Sequence, residues 1–156
     1  MLPDISDLVS PDLIAVDVPA TTRKALFAQV GALAGAALPL DPRVVAEALA
    51  AREKAGSTGF GGGVAVPHAR IDGLSRIVAI VVRLSRPIDF DAVDGAGVDV
   101  VIALLTPTEA GAEHLKALAR VSRRLRDRDF LAKLRGAGSP DAVYVLLTAD
   151  ETRDAA

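Results

Sequence analysis

The hydrophobic positions of the chain concentrate in two nearly continuous apolar runs, IVAIVVRL at 77–84 and VDVVIALL at 98–105. Both runs are short and rich in β-branched residues, so they predict interior strands that are covered on both faces. Shorter apolar stretches at 13–18 and 64–66 predict two further strands. Residues 86–97, between the central runs, are rich in Pro, Asp and Gly, which is typical of turns. The pattern therefore predicts a small sheet with two buried central strands.

In much of the remaining chain, apolar residues recur every three or four positions, as on a helix with one buried face. Thr21 and Thr22 can cap the first such helix, and Asp41 followed by Pro42 gives a start signal for the second. Gly56 can end this second helix in the left-handed conformation. Three later helices are expected after Pro107 (apolar positions 115–125), at 130–134, and from Ser139 through Leu147. The order of strand, two helices, three strands and then helices predicts an α/β fold, a three-layer α/β/α sandwich on a small mixed β-sheet.

The length and composition of the chain fit a single domain over 1–156, in which we expect residues 1–12 to be an extended lead-in and residues 150–156 a frayed tail. With 18 Lys and Arg against 20 Asp and Glu, the net charge of −2 offers no broad basic surface to nucleic acid. The absence of cysteine excludes thiol nucleophiles, thiolate metal sites and disulfides. The first residues lack the pattern of a signal peptide, and no apolar run approaches the roughly 20 residues that span a bilayer. We expect a cytoplasmic protein that uses no metal or cofactor.

A glycine-rich segment, STGFGGGVAVP at 57–67, leads directly into His68. Its glycines allow positive φ or the close approach of another group. It matches neither nucleotide-binding pattern, because no lysine follows the glycines and a strand rather than a helix comes next. Proline before His68 fixes the chain, so the imidazole is expected on a loop at a strand end. A neutral ring there is a competent nucleophile, although a lone histidine is more often an ordinary loop residue that is hydrogen-bonded to backbone.

Three further side chains could join a site around His68. His114 is expected in the first turn of the helix after Pro107, where free backbone N–H groups favour an anion; the alternative is an exposed helix histidine. Arg52 closes the second helix, from which its guanidinium could bind phosphate oxygens; taken alone, it is a solvated cation at a helix carboxyl end. Arg70 is equally ambiguous.

The residues that flank His68 resemble a known signature. The stretch 57–69, preceded by Arg52-Glu53, is similar to that of enzyme IIA of the fructose/mannitol class of the bacterial sugar phosphotransferase system, a class that includes nitrogen-related regulatory IIA proteins. The similarity continues through 87–91, 99–105 and 113–115, so it covers essentially the whole chain.

This resemblance implies that His68 is phosphorylated by the phosphohistidine of the small carrier protein HPr or its nitrogen-related counterpart. His114 and Arg52 would stabilise the phosphate. The supporting loop residues would be Ser57, Thr58, Gly59, Gly61, Gly63 and Pro67, with the glycines admitting the carrier, and Arg70 would have at most a docking role. No metal is implied, because donor and acceptor are side chains of docking proteins.

Two functions are compatible with that relay. In the first, the protein is a phosphotransferase subunit that passes the phosphate to a IIB cysteine for sugar uptake, and contacts the membrane only through a IIB or IIC partner. In the alternative, phosphorylation of His68 controls binding to transporter or kinase partners through about two added negative charges. A structural α/β domain without phosphorylation is the third reading of the sequence.

Overall fold

A computed structural model describes residues 5–149 as six strands and five helices around one sheet. The strands are β1 Ile14–Val18, β2 Gly59–Gly61, β3 Val64–Ala65, β4 His68–Ile71, β5 Val78–Ile88 and β6 Val98–Pro107. The helices are α1 Arg23–Ala37, α2 Pro42–Lys54, α3 Ala112–Leu125, α4 Arg128–Gly136 and α5 Pro140–Thr148. The tail expected at 150–156 lies outside the described residues.

The sheet is mixed, as predicted. Its strand order is β1-β5-β6-β3-β2, and β4 also pairs with β6. The two predicted central strands, β5 and β6, are antiparallel neighbours, whereas β3 and β4 both run parallel to β6. Since Val64 pairs with Val100 and His68 with Leu104, β3 and β4 follow one another along the same edge of β6.

Alternating side chains of the central strands enter two separate cores, which confirms the three-layer α/β/α sandwich. On one face Ile80 and Ala103 pack with the helices α1 and α2. On the other face Val81 and Ile102 pack with α3, α4 and α5. Because successive strand residues point to opposite faces, a continuous apolar run is what such a doubly covered strand requires.

The helix start signals are confirmed, but the expected end of α2 is wrong. Thr22 caps α1 by accepting from the Ala25 amide at 3.1 Å, and Asp41 caps α2 by accepting from the Arg43 amide at 2.9 Å. The chain leaves α2 through a C-cap residue with φ −73°, and Gly56 is not among the residues with positive φ. Its carbonyl instead accepts from the Arg52 guanidinium at 3.0 Å, which draws that side chain over the helix end.

The sheet also differs from the prediction at its margins. β5 continues to Ile88, through residues predicted as a turn, because an irregularity in its pairing with β6 between Arg83 and Ile88 accommodates the exposed Pro87. The short strands β2 and β4 were not predicted. The described part of the expected lead-in is not extended: a turn at 5–8 and a 3-10 turn at 11–13 bury several apolar side chains, namely Ile5, Leu8, Val9 and Leu13. Residues 1–4 lie outside the described residues. In the described part of the chain, none of the helices has the length and apolar character needed to cross a membrane.

Candidate active site

His68 is the first residue of β4, where the chain resumes pairing with β6 after an interruption at Pro67. Proline has no N–H to give to a ladder, and its carbonyl here accepts from the Leu104 amide at 2.9 Å. His68 therefore lies on a strand end rather than a loop. Its side chain is half-buried, in keeping with the expectation that this imidazole is presented at the surface.

The proton of the neutral His68 ring is on Nδ1. This nitrogen lies 3.0 Å from the Val66 carbonyl oxygen, and since a carbonyl only accepts, Nδ1 must be the donor. Burial lowers the pKa of His68 below its usual 6.5, and the neighbouring Arg52 lowers that pKa further, although the bond to Val66 opposes the shift. At neutral pH the ring is therefore predominantly uncharged, with a lone pair on Nε2, as nucleophilic attack by an imidazole requires.

Arg52 covers that lone pair. Its Nε donates to Nε2 of His68 at 3.2 Å, while another nitrogen of the same guanidinium holds the Gly56 carbonyl. The first contact is a directed bond from the last turn of α2 to the ring, so Arg52 is not simply a solvated cation.

His114 lies directly against His68. The two ring centroids are 5.3 Å apart and the planes are inclined by 63°. His114 is only 8% exposed, which excludes the alternative of an exposed helix histidine. Burial lowers the pKa of His114 below 6.5, and the positive charges of its neighbours, among them Arg70 and Arg52, add to the effect. Both imidazoles are thus favoured in the neutral state.

The backbone at the start of α3 is largely engaged. The amide of Glu113 donates to the Ala110 carbonyl at 3.2 Å, and that of His114 donates to the Gly111 carbonyl at 3.3 Å. These two N–H groups are not free for an anion, contrary to the expectation from sequence. What α3 contributes to the site is the imidazole of His114.

The glycines of the 57–67 segment lie apart from His68. Gly61 and Gly63 flank the turn of the β2-β3 hairpin, beside the beginning of β6, whereas His68 pairs four residues further along that strand, roughly 13 Å away. Gly63 has φ +80°, and a Cβ there would come within 2.5 Å of the Arg135 guanidinium. The hairpin requires these glycines for its own shape, and the expectation that they admit a carrier at His68 stays a prediction.

The first residues of the segment are anchored close to the end of α2. The Glu53 carboxylate accepts from the Thr58 amide at 2.8 Å and from the Thr58 hydroxyl at 2.8 Å. Ser57 donates to the Phe90 carbonyl at 2.6 Å and accepts from the Gly59 amide at 3.1 Å. The role of Glu53 is not predictable from sequence, because an acid in a charged helix end is typical of a solvated position. In the structure Glu53 is only 6% exposed.

The four predicted side chains converge on one open cavity. Arg52, His68, Arg70 and His114 line it together with two alanines. Arg70 is exposed and donates to the Thr108 carbonyl at 3.4 Å. Among the described residues, no acidic side chain lines this cavity. Two cations, a neutral imidazole with a lone pair and a second imidazole form a site suited to an incoming phosphoryl group.

Comparisons with known proteins identify relatives over nearly the whole chain. The sequence profile of the family described as phosphoenolpyruvate-dependent sugar phosphotransferase system, EIIA 2, matches residues 7–150. A nitrogen regulatory protein of Bradyrhizobium diazoefficiens is 43% identical over 143 residues, which are 92% of this chain and 94% of that protein. A fructose-specific EIIA component of Haloferax volcanii is 34% identical over 145 residues, again 92% of this chain and 94% of that protein.

A solved structure agrees as well. The crystal structure of nitrogen regulatory protein IIA-Ntr from Neisseria meningitidis has a TM-score of 0.83 and 34% identity, and the match covers 92% of this chain and 99% of that one. The similarity therefore extends over both the fold and nearly the full length of each protein.

Proposed function

The chain belongs to the EIIA 2 family of the phosphoenolpyruvate-dependent sugar phosphotransferase system, and on that premise we propose that His68 accepts a phosphoryl group from an HPr-type carrier and that its phosphorylation regulates partner proteins. The observation that carries the proposal is the neutral His68 ring, whose Nε2 lone pair faces Arg52 at 3.2 Å. The proposed activity is phosphotransfer, in the cytoplasmic location that the sequence predicts.

The transfer step balances without a metal. Nε2 of His68 attacks phosphorus as the bond from phosphorus to the donor's ring nitrogen breaks, and the electron pair of that bond returns to the donor imidazole. The proton on Nδ1 stays in place and keeps donating to the Val66 carbonyl at 3.0 Å. The positive charge that develops on the phosphorylated ring is therefore stabilised by a carbonyl dipole.

Arg52 and His114 would hold the phosphoryl oxygens. Arg52 must leave the Nε2 lone pair as phosphorus approaches, and its N–H groups can then donate to oxygens carrying full negative charge. His114, 5.3 Å from His68, is placed to donate from the neighbouring ring. The loop residues have supporting roles. Pro67 fixes the strand end, and the side chains of Ser57 and Thr58 hold the loop after α2. The glycines at 59, 61 and 63 support the site only by shaping the hairpin.

The regulatory function is favoured by the comparisons. The chain is 43% identical to the nitrogen regulatory protein of Bradyrhizobium diazoefficiens, and only 34% identical to the fructose-specific component of Haloferax volcanii. The cavity chemistry is consistent with a switch. Phosphorylation adds about 1.5 to 2 negative charges beside the two cations Arg52 and Arg70, and so nearly cancels the local charge. A transporter or kinase that reads this surface would distinguish the two states.

The second candidate function is transport, in which the phosphoryl group moves on from His68 to a IIB cysteine and then to a sugar. The similarity to the fructose-specific component supports it.

Intact mass tests the relay itself. Incubation with phosphoenolpyruvate, enzyme I and HPr or its nitrogen-related counterpart should add one acid-labile phosphoryl group to the protein, and none to the His68→Ala variant. The His114→Ala variant should still accept phosphate, because the nucleophile is intact. A phosphoryl group that persists in His68→Ala would refute the assignment.

The fate of the phosphate separates the two functions. Isotope-labelled phosphoprotein, mixed with membranes and candidate sugars, should yield no sugar phosphate if the role is regulatory. In the same case, pull-down with the unphosphorylated and phosphorylated forms should capture different partners. Formation of labelled sugar phosphate would establish the transport function instead.

A further inference from the structure

One buried hydroxyl behind the site is not used by the proposed relay. Thr106, near the end of β6, is completely buried, and its Oγ1 lies 2.9 Å from Nδ1 of His114. The same oxygen lies 3.5 Å from the carbonyl oxygen of Ala69, the residue that follows His68. The contact between His114 and Thr106 could not have been predicted from sequence, because the two residues belong to different elements that meet only in the folded chain.

The position of the hydroxyl proton follows from these distances. A threonine hydroxyl has one proton, and a carbonyl oxygen 3.5 Å away is at the outer limit of a hydrogen bond, whereas 2.9 Å is an ordinary length. Leaving a buried donor without a good acceptor is costly. The proton is therefore best placed toward His114, so that Nδ1 of His114 is the acceptor and carries no proton.

The tautomer of His114 decides what the ring offers to a phosphoryl group. If Nδ1 is an acceptor, the neutral ring carries its proton on Nε2, where it can be donated. In the opposite tautomer Nε2 would present a lone pair, which repels phosphoryl oxygens. His114 lines the same cavity as His68, so a donating Nε2–H is the state that favours a phosphate there.

We infer that Thr106 is a positioning residue that holds His114 in its Nε2–H tautomer, ready to donate to the phosphoryl group on His68. The purpose of this arrangement, donation to a phosphoryl group, rests on the proposed phosphorylation of His68. The tautomer itself is a property of the unphosphorylated protein and can be measured there. The arrangement is opposite to that of His68, whose proton is fixed on Nδ1 by the Val66 carbonyl. The two neighbouring rings would thus be in opposite tautomers. Nε2 of His68 has a lone pair and can act as nucleophile, whereas Nε2 of His114 has a proton and can act as donor.

The test is nitrogen-15 NMR of the two histidine rings, with assignment from the His114→Ala spectrum. In the wild-type protein at neutral pH, His114 should show a protonated Nε2 and an unprotonated Nδ1, and His68 the reverse. Thr106→Val keeps the shape but removes the hydroxyl, so the His114 signals should shift toward the other tautomer. Thr106→Ser keeps the hydroxyl and should retain the wild-type pattern.

Phosphoryl acceptance supplies the second readout. Thr106→Val should accept phosphate about tenfold more slowly than wild type, the size of one lost hydrogen bond in the transfer step, and Thr106→Ser should restore most of the rate. A wild-type His114 protonated on Nδ1 would overturn the inference without any variant, even if Thr106→Val failed to fold. So would a Thr106→Val protein with unchanged ring signals and rate. If the wild-type protein accepts no phosphate, the proposed function fails, while the NMR result still decides the tautomer.

Discussion

Glu53 offers the most direct test of how the end of α2 is joined to the site. Its carboxylate lies within the structure at 6% exposure and receives both the amide and the hydroxyl proton of Thr58, each at 2.8 Å. Replacing Glu53 with alanine removes hydrogen bonds to a charged acceptor and leaves the Thr58 donors without their partner. Bonds of this kind contribute about 1.5 to 3 kcal/mol, so the free energy of unfolding should fall by about 2 to 3 kcal/mol.

The expected loss is large enough to measure by thermal or urea unfolding. For a domain of this length, 1 kcal/mol corresponds to roughly 2–4 °C, so Glu53→Ala should melt about 5 to 10 °C below wild type. Glu53→Gln should lose only about 1 kcal/mol, because the amide can still accept from the Thr58 N–H and donate to its hydroxyl. The matched control is Glu47→Ala, an exposed acid of the same helix, which should change stability by at most about 0.5 kcal/mol.

The outcome that refutes this reasoning is equally specific. If Glu53→Ala melts at the same temperature as Glu47→Ala, the carboxylate does not stabilise the loop that follows α2. The phosphoryl acceptance rate of Glu53→Ala, measured well below its melting temperature, reports separately on the site. It should fall, because Arg52 directly precedes Glu53 and the brace holds the last turn of α2 against residues 57–58.

Three further predictions concern ionisable side chains, two of them in the site and one at the β2-β3 hairpin. Arg52→Ala should accept phosphate about 10- to 100-fold more slowly than wild type, which corresponds to the loss of one or two charge-assisted hydrogen bonds. The control is Lys54→Ala, which removes an exposed cation from the same helix end and should leave the rate close to wild type. Equal rates for the two variants would contradict the role of Arg52. The pH profile of acceptance should have its midpoint below pH 6.5 and decline as the pH falls, because burial lowers the pKa of His68 and only the neutral ring is a nucleophile; a midpoint above 6.5 would be inconsistent with burial as the dominant influence. Arg135→Ala removes a partly exposed pair with Asp99 and a hydrogen bond to the Gly62 carbonyl at 2.7 Å, so it should cost about 1 to 2 kcal/mol in chemical unfolding. It should leave the transfer rate unchanged, because the hairpin lies beside the other end of β6 from His68.

The layers of the fold and the surface position of the His68 ring were predictable because each depends on local sequence. The apolar runs of β5 and β6 alternate between two buried faces, and only a sheet covered on both sides requires that pattern. The proline before His68 likewise predicts a strand end with a fixed backbone and an accessible imidazole. The course of β5 beyond residue 84 was missed, because Pro87 is typical of turns and its accommodation depends on irregular pairing with β6.

What could not be predicted depends on register. The glycines of 61–63 are adjacent to His68 in sequence, yet the parallel pairing of β3 and β4 on one strand carries them away from it. The same pairing brings Thr106, distant in sequence, opposite Arg70 in β4, and α3 then packs His114 onto it. Spacing along the chain gives neither result, because a one-residue change of register would alter both.

The contact between Arg52 and His68 has a consequence for how the site distinguishes its two states. Before transfer, Arg52 donates to a neutral nitrogen at 3.2 Å, a bond worth about 1 kcal/mol net. After transfer the same N–H groups can meet charged phosphoryl oxygens, and charge-assisted bonds are about twice as strong. If His68 is phosphorylated as proposed, Arg52 therefore stabilises that state more than the resting one, and only such a difference raises the population of phosphohistidine or lowers the barrier to it. A lysine at position 52 would keep the charge but lose the planar fork that holds the Gly56 carbonyl and the ring together. Charge alone is thus insufficient to explain this position, and the geometry of the guanidinium explains why an arginine lies in the last turn of α2.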